Sequence, residues 1–161
     1  MHSLRALGIG LLAGSGSALC TSRSYDNGTT VGDNSTTPVA VTKNGTYYGV
    51  HSSQWHQDYF RGIPYAQPPV GDLRFRNPQP LNTSWEGQRN ATEYGHMCYG
   101  YGATQFVLGE DVSEDCLTLN IQRASNVSAS KGLLPVAVYI HGGLFKHGTG
   151  RDPRYDPTSL L

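Results

Sequence analysis

The chain has 161 residues, a length suited to one domain, but its 20 Gly, 9 Pro and 37% apolar residues favour strands and loops over helices. Twelve basic residues balance twelve acidic ones, so no net field draws it to nucleic acid or to an anionic membrane surface. The ten tyrosines are scattered among Gly and Pro rather than set in a basic stripe, which argues further against nucleic acid.

Residues 1–20 read as a secretory signal. Arg5 supplies a short basic region, residues 6–13 an apolar run, and Gly14-Ser15-Gly16-Ser17-Ala18 a small-residue exit. The apolar run is shorter than the roughly 20 residues needed to span a bilayer, so no membrane anchor is expected. Cleavage after Ala18 and after Cys20 both fit. Residues 21–37 are polar, Gly-bearing and aperiodic, and read as a flexible leader. Asn27, Asn34, Asn44, Asn82, Asn90 and Asn126 each open an Asn-X-Ser/Thr sequon. A glycan must face solvent, so all six are expected to be exposed, and the protein is expected to be a secreted, extracellular glycoprotein.

If Cys20 leaves with the signal, Cys98 and Cys116 remain as a pair in an oxidising compartment. Metal binding is the competing use, but neither has a CxxC partner or a nearby His pair. A disulfide would close a loop of 17 intervening residues, worth about 3 kcal/mol in the chain-entropy account.

Order is expected to begin near Pro38. Val39-Ala40-Val41-Thr42 and residues 46–50 are β-prone and flank Asn44-Gly45, a strong turn signal, so a hairpin is predicted. Tyr59-Phe60-Arg61-Gly62-Ile63 suits a third strand. Prolines 64, 68, 69, 78 and 80 mark an extended surface wrap. Leu117-Thr118-Leu119-Asn120-Ile121 alternates like a half-buried strand, and residues 124–132 suit a surface turn. Val136-Ala137-Val138-Tyr139-Ile140 is continuously β-prone, as in a strand buried on both faces, and ends at His141-Gly142-Gly143. Asp156 then caps a predicted helix with Pro157 at its first position. A strand needing cover on both faces, with no helical period upstream to supply it, suggests a fold that continues past Leu161.

Four stretches, in order, resemble the type-B carboxylesterase and cholinesterase-like family of α/β-hydrolases. They are Phe60-Arg61-Gly62-Ile63-Pro64-Tyr65-Ala66 continuing to Pro78; Trp85-Glu86-Gly87 with Ala91-Thr92, Tyr94-Gly95 and Cys98; Glu114-Asp115-Cys116-Leu117-Thr118-Leu119-Asn120-Ile121; and residues 136–143 with Tyr155-Asp156. The resemblance covers residues 38–161 and implies an incomplete α/β-hydrolase fold: amino-terminal antiparallel strands plus the first strands of a central mixed sheet. It also implies the Cys98–Cys116 disulfide and an Arg74–Glu114 ion pair tying the Pro-rich wrap to the base of the disulfide loop.

The surviving chemistry is implied to lie in Gly142, Gly143 and Leu144. Ester cleavage puts negative charge on a carbonyl oxygen, which preorganised backbone N–H groups stabilise. Glycine lets a loop aim such groups closely at a substrate. Alignment with the family makes Gly143 and Leu144 the donors, with Gly142 shaping the turn. Leu144 stands where the family usually has a third glycine, and its isobutyl group is expected to crowd the ester. Lys146 and His147 read as rim residues without a catalytic role. Lipases of the family carry a longer lid in this loop and cholinesterases a Trp for the choline cation. The loop here is short and lacks a Trp, with Phe106 near the corresponding offset, so the resemblance implies a general carboxylesterase acting on small-molecule esters, without cofactor or metal. No Gly-X-Ser-X-Gly elbow occurs. The nucleophile, acid and catalytic His are therefore expected in a carboxyl-terminal part of the same domain, and the chain alone is expected to be inactive. The rival expectation is a non-catalytic binding or adhesion module of the cholinesterase-like type.

Overall fold

A computed structural model describes residues 37–101, 111–125, 127 and 133–161. The expected signal, the leader up to residue 36, Phe106, Asn27, Asn34, Asn126 and most of the 124–132 turn lie outside the described residues. The described residues all fall within one compact unit, Ser35–Leu161.

The hairpin forms as the sequence indicates. Strands β1 (Val39–Val41) and β2 (Thr46–Tyr48) pair antiparallel with Val39 opposite Tyr48 and Val41 opposite Thr46. Thr42 N–H closes the turn on the Gly45 carbonyl at 2.8 Å. The strand expected over 46–50 is instead broken at Gly49, and β3 (Val50–Ser52) belongs to a different sheet. Gly49 is the pivot: a Cβ there would stand 2.9 Å from the Phe60 ring and closer still to the Tyr59 carbonyl. Only glycine lets the two backbones approach this closely.

β4 (Gln57–Pro64) runs antiparallel to β3 and to β6 (Thr118–Ala124), with Phe60 opposite Ile121 and Pro64 opposite Thr118. The third strand was thus legible, and Pro64 ends it rather than beginning the wrap. Beyond Pro64 the Pro-rich stretch is largely exposed, interrupted by a 3₁₀ turn at Gly71–Leu73. β6 is less covered than its alternation suggests, since Leu119 and Ile121 are both exposed. β5 (Gln88–Asn90) was not foreseen. It pairs with β2 in parallel, so the first sheet is mixed, not antiparallel throughout.

The core sits where these sheets meet the Trp85 segment. Tyr47, Phe60 and Ala91 are buried, with Ala40, Ile63 and Trp85 packed around them. Trp85 meets the Tyr47 ring edge-on at 5.1 Å and its Nε1–H donates to the Thr46 carbonyl at 3.2 Å. Burial pushes the Tyr47 hydroxyl pKa up, the nearby Arg89 charge opposing it. Arg89 lies over the Trp85 ring at 4.0 Å.

The expectation for residues 136–140 is overturned. Among the described residues this stretch joins no ladder, and Val136, Val138 and Ile140 are 84%, 81% and 84% exposed. A β-prone run acquires strand character only from neighbours on either side, and no described strand lies in register with it. The capped carboxyl-terminal turn does form, as 3₁₀ rather than α: Pro157–Leu160, with Asp156 Oδ1 accepting from Thr158 N–H at 2.9 Å. A second Asp-Pro cap, Asp152 before Pro153–Tyr155, repeats the device. Gln57, almost fully buried, ties this end to β4: its Nε2–H donates to the Thr158 carbonyl at 2.9 Å, and Gln122 Nε2–H donates to its Oε1 at 2.6 Å.

Exposure of the sequons is uneven. Asn82 and Asn90 are exposed, and Asn90 Oδ1 accepts from Thr92 N–H at 2.8 Å, which leaves its nitrogen clear. Asn44 departs from expectation. It is half-buried, and its Nδ2 donates to the carbonyls of Leu81 (3.3 Å) and Thr83 (2.8 Å). A glycan on that nitrogen would cost one of these bonds.

Candidate active site

The glycine loop folds back on itself over residues 141–148. Lys146 N–H and His147 N–H both donate to the Gly143 carbonyl, at 3.0 and 3.2 Å. The side of Gly143 where a Cβ would stand is filled by His147, whose Nδ1 lies 3.1 Å from that point. Across the loop, the corresponding side of Gly148 is filled by the Gly142 carbonyl and the His141 ring, 2.6 Å away. Gly143 has φ 141°, and Gly148 has φ 106°. A side chain at either position would collide with the loop's own backbone.

The bend itself is made by Leu144 (φ 57°) and Phe145 (φ 59°). Positive φ at both central residues is the sign pattern of a type I′ turn, normally built from Asn and Gly. A residue bearing a Cβ gives up about 1–2 kcal/mol in this region, and such strain persists only where the surroundings over-determine it. Leu144 therefore keeps the backbone a glycine would adopt. Its side chain is 78% exposed and is not among the groups lining the adjoining depression. The cost of Leu144 that the structure shows lies in the backbone.

That depression, about 160 Å³, is lined by His141, Gly142, Gly143, His147, Gly148, Thr149, Asp152, Arg154 and Tyr155. It is smaller than the roughly 300–1,000 Å³ typical of a ligand site. Among the described residues, the N–H groups of Gly142, Gly143, Leu144 and Phe145 donate to no protein acceptor. His141 Nδ1 donates to the Gly142 carbonyl at 3.0 Å. Because a carbonyl only accepts, Nδ1 is the donor of this bond. His147 Nδ1 is buried with no partner among the described residues. Asp152, 6% exposed, is held by Arg154 through its backbone N–H (3.0 Å), Nε (3.0 and 3.1 Å) and Nη2 (2.5 Å). The Arg154 side-chain hydrogen bond lowers the Asp152 pKa against the opposing effect of burial, and raises that of Arg154 in turn.

Outside the loop, Cys98 and Cys116 are joined by a disulfide with Cα atoms 5.1 Å apart. Arg74 Nε donates to Glu114 Oε1 beside it. Both side chains of that pair are partly solvated, so it contributes little more than about 0–1 kcal/mol. Sequence reasoning set His147 at the rim, whereas it lines the depression with a buried ring nitrogen. It missed Asp152 and Arg154 as lining residues, and the Asp-Pro cap at Asp152-Pro153 was the available signal for the first of these. No signal in the sequence marked the burial of His147.

Comparison with known proteins gives the family and the fold. The profile described as the Carboxylesterase family matches residues 36–161. A para-nitrobenzyl esterase of Bacillus subtilis (strain 168) is 39% identical over 128 residues, covering 78% of this chain and 24% of that protein. A cholinesterase of Mus musculus is 42% identical over 110 residues, covering 60% of this chain and 17% of that protein. Among solved structures, a PNB esterase superposes with a TM-score of 0.67 at 36% identity, covering 76% of this chain and 24% of that one. EstA of Aspergillus niger does so with a TM-score of 0.63 at 35% identity, covering 77% and 23%. The chain thus spans about a quarter of the length of the esterases it matches, and its fold is part of an α/β-hydrolase. On the strength of the profile match and these relatives, the chain belongs to the carboxylesterase family.

Proposed function

We propose that the complete protein hydrolyses small-molecule carboxylic esters through a serine acyl-enzyme, and that Gly143 and Leu144, with Gly142 shaping the turn, supply N–H groups to the oxyanion. One observation carries this reading: Gly142 and Gly143 line a small depression, and the turn's N–H groups at residues 142–145 meet no acceptor among the described residues, in a chain of the carboxylesterase family. The nucleophile, acid and catalytic His belong to polypeptide other than these 161 residues, since no serine here stands on a Gly-X-Ser-X-Gly elbow. The 161 residues alone are inactive on this account. The signal-like residues 1–20 and the sequons support a secreted, glycosylated product. The rival reading, a non-catalytic binding module, rests on Leu144 standing where the family usually has a third glycine.

The test is to express the longest product of the locus alongside the 161-residue chain. Each is treated with 4-nitrophenyl acetate and with a phosphonate that labels activated serines. Turnover and one phosphonylated serine are expected in the longer product only. A longer product with neither would end the hydrolase reading.

A further inference from the structure

Both limbs of the Cys98–Cys116 loop reach the glycine turn. On the outgoing limb, Tyr101 N–H donates to the Lys146 carbonyl at 2.7 Å. Gly100 lies so close that a Cβ there would stand 2.6 Å from the same oxygen. On the returning limb, Asp111 Oδ2 accepts from Arg151 Nη1 at 2.6 Å, and Asp111 Oδ1 bonds His96 Nδ1. The limbs are themselves joined. Met97 and Val112 form a parallel bridge, Met97 N–H donates to the Asp111 carbonyl at 3.0 Å, and Ser113 N–H donates to the Met97 carbonyl at 2.9 Å.

We propose that Asp111 is a positioning residue for the glycine turn: by holding His96 with one oxygen and Arg151 with the other, it fastens the downstream flank of the turn to the disulfide-closed loop. The need for such an anchor arises in the turn's own backbone. Leu144 and Phe145 hold left-handed φ values that relax unless the flanks prevent it. The upstream flank, residues 133–140, joins no ladder among the described residues. Apart from the packing of Tyr139 on Tyr155, restraint therefore comes from Tyr101 on Lys146, Asn120 on Gly150 and Asp111 on Arg151. Of the three acceptor–donor ties, only that of Asp111 is charge-assisted. The hydrogen bond from His96, followed by that from Arg151, keeps the Asp111 carboxyl below its ordinary range, as a carboxylate accepting from two side-chain donors requires. The value of this anchor to catalysis rests on reading the turn as an oxyanion cradle; the mechanical claim does not.

The experiment is amide hydrogen exchange on the 161-residue chain, resolved by residue with NMR, comparing wild type, Asp111→Asn and Arg151→Gln. The reporters are the hydrogen-bonded amides of Tyr101, Lys146 and His147; the controls are those of Arg61 in β4 and Ala91 just past β5. Exchange at the reporters should rise about fivefold in either variant, with the controls unchanged. A rise shared equally by the controls would mean that Asp111 serves general stability, and no rise at the reporters would mean that it restrains nothing; each overturns the proposal. If Asp111→Asn fails to fold, Arg151→Gln, which leaves the His96–Asp111 contact intact, decides the matter alone. Because nothing is turned over in this measurement, failure of the hydrolase reading would leave its result standing.

Discussion

Asn120 joins Gly150 to the second sheet: its Nδ2–H donates to the Gly150 carbonyl at 3.2 Å, while its Oδ1 accepts from Gly62 N–H at 3.0 Å. One side-chain amide thus serves an acceptor on the segment after the glycine turn and a donor on β4, within the stretch whose motif first suggested the family. The division of labour is testable. Asn120→Asp keeps the acceptor and loses the donor, and should cost about 1 kcal/mol; Asn120→Ala loses both and should cost about 1–2 kcal/mol. Urea midpoints measure both. Equal stability of Asn120→Asp and wild type would show that the Gly150 bond contributes nothing.

Leu144→Gly should stabilise the chain, against the usual direction of glycine substitutions. At φ 57° the Cβ is the source of strain, and the side chain is exposed, so little packing is lost. Relief of about 1 kcal/mol is expected, the left-handed cost set against the greater freedom of glycine when unfolded. Thermal melting of the two chains supplies the comparison. A lower midpoint for the variant would mean that the exposed isobutyl group makes contacts outweighing the strain.

Loss of the disulfide should be larger. The bridge closes a loop of sequence separation 18, and Cys98→Ser with Cys116→Ser should cost about 3 kcal/mol on the chain-entropy account. Met97, 2% exposed, is the neighbour of Cys98 in the chain. The double variant and the wild type under reductant should therefore share one guanidinium midpoint. Different midpoints would separate the effect of the serines from that of the cross-link.

Legibility in the sequence tracks how local each feature is. The β1–β2 hairpin was legible because Asn44-Gly45 and its β-prone flanks lie within ten residues of one another. The Asp156-Pro157 cap was legible for the same reason, although 3₁₀ replaced α. The break at Gly49 was not, because it depends on the Tyr59 carbonyl and Phe60 ring arriving from another strand. Residues 136–140 failed in the opposite sense. Composition gives a β-preference, but strand pairing is a property of neighbours. In the site, the family pattern marked Gly142, Gly143 and Leu144, whereas the inward place of His147 and the Asp111–Arg151 contact emerge only when the loop closes in space.

Acid should act on the Asp152–Arg154 pair. The Asp152 carboxyl is held below the ordinary aspartate value, first by the Arg154 side-chain hydrogen bond, with burial opposing and the backbone N–H and the Arg154 charge assisting. A carboxyl whose folded pKa is depressed binds its proton more readily when unfolded. Its contribution is thus fully present above the unfolded value of about 3.9 and is lost as pH falls through the folded one. Asp152→Asn cannot titrate and offers fewer acceptor lone pairs to the guanidinium. It should be less stable than wild type at pH 6, with the difference shrinking steadily below about pH 4. The measurement is a series of urea midpoints from pH 6 down to the acid limit of folding. A difference that stays constant across that range would show that the carboxylate charge is not what Arg154 is holding.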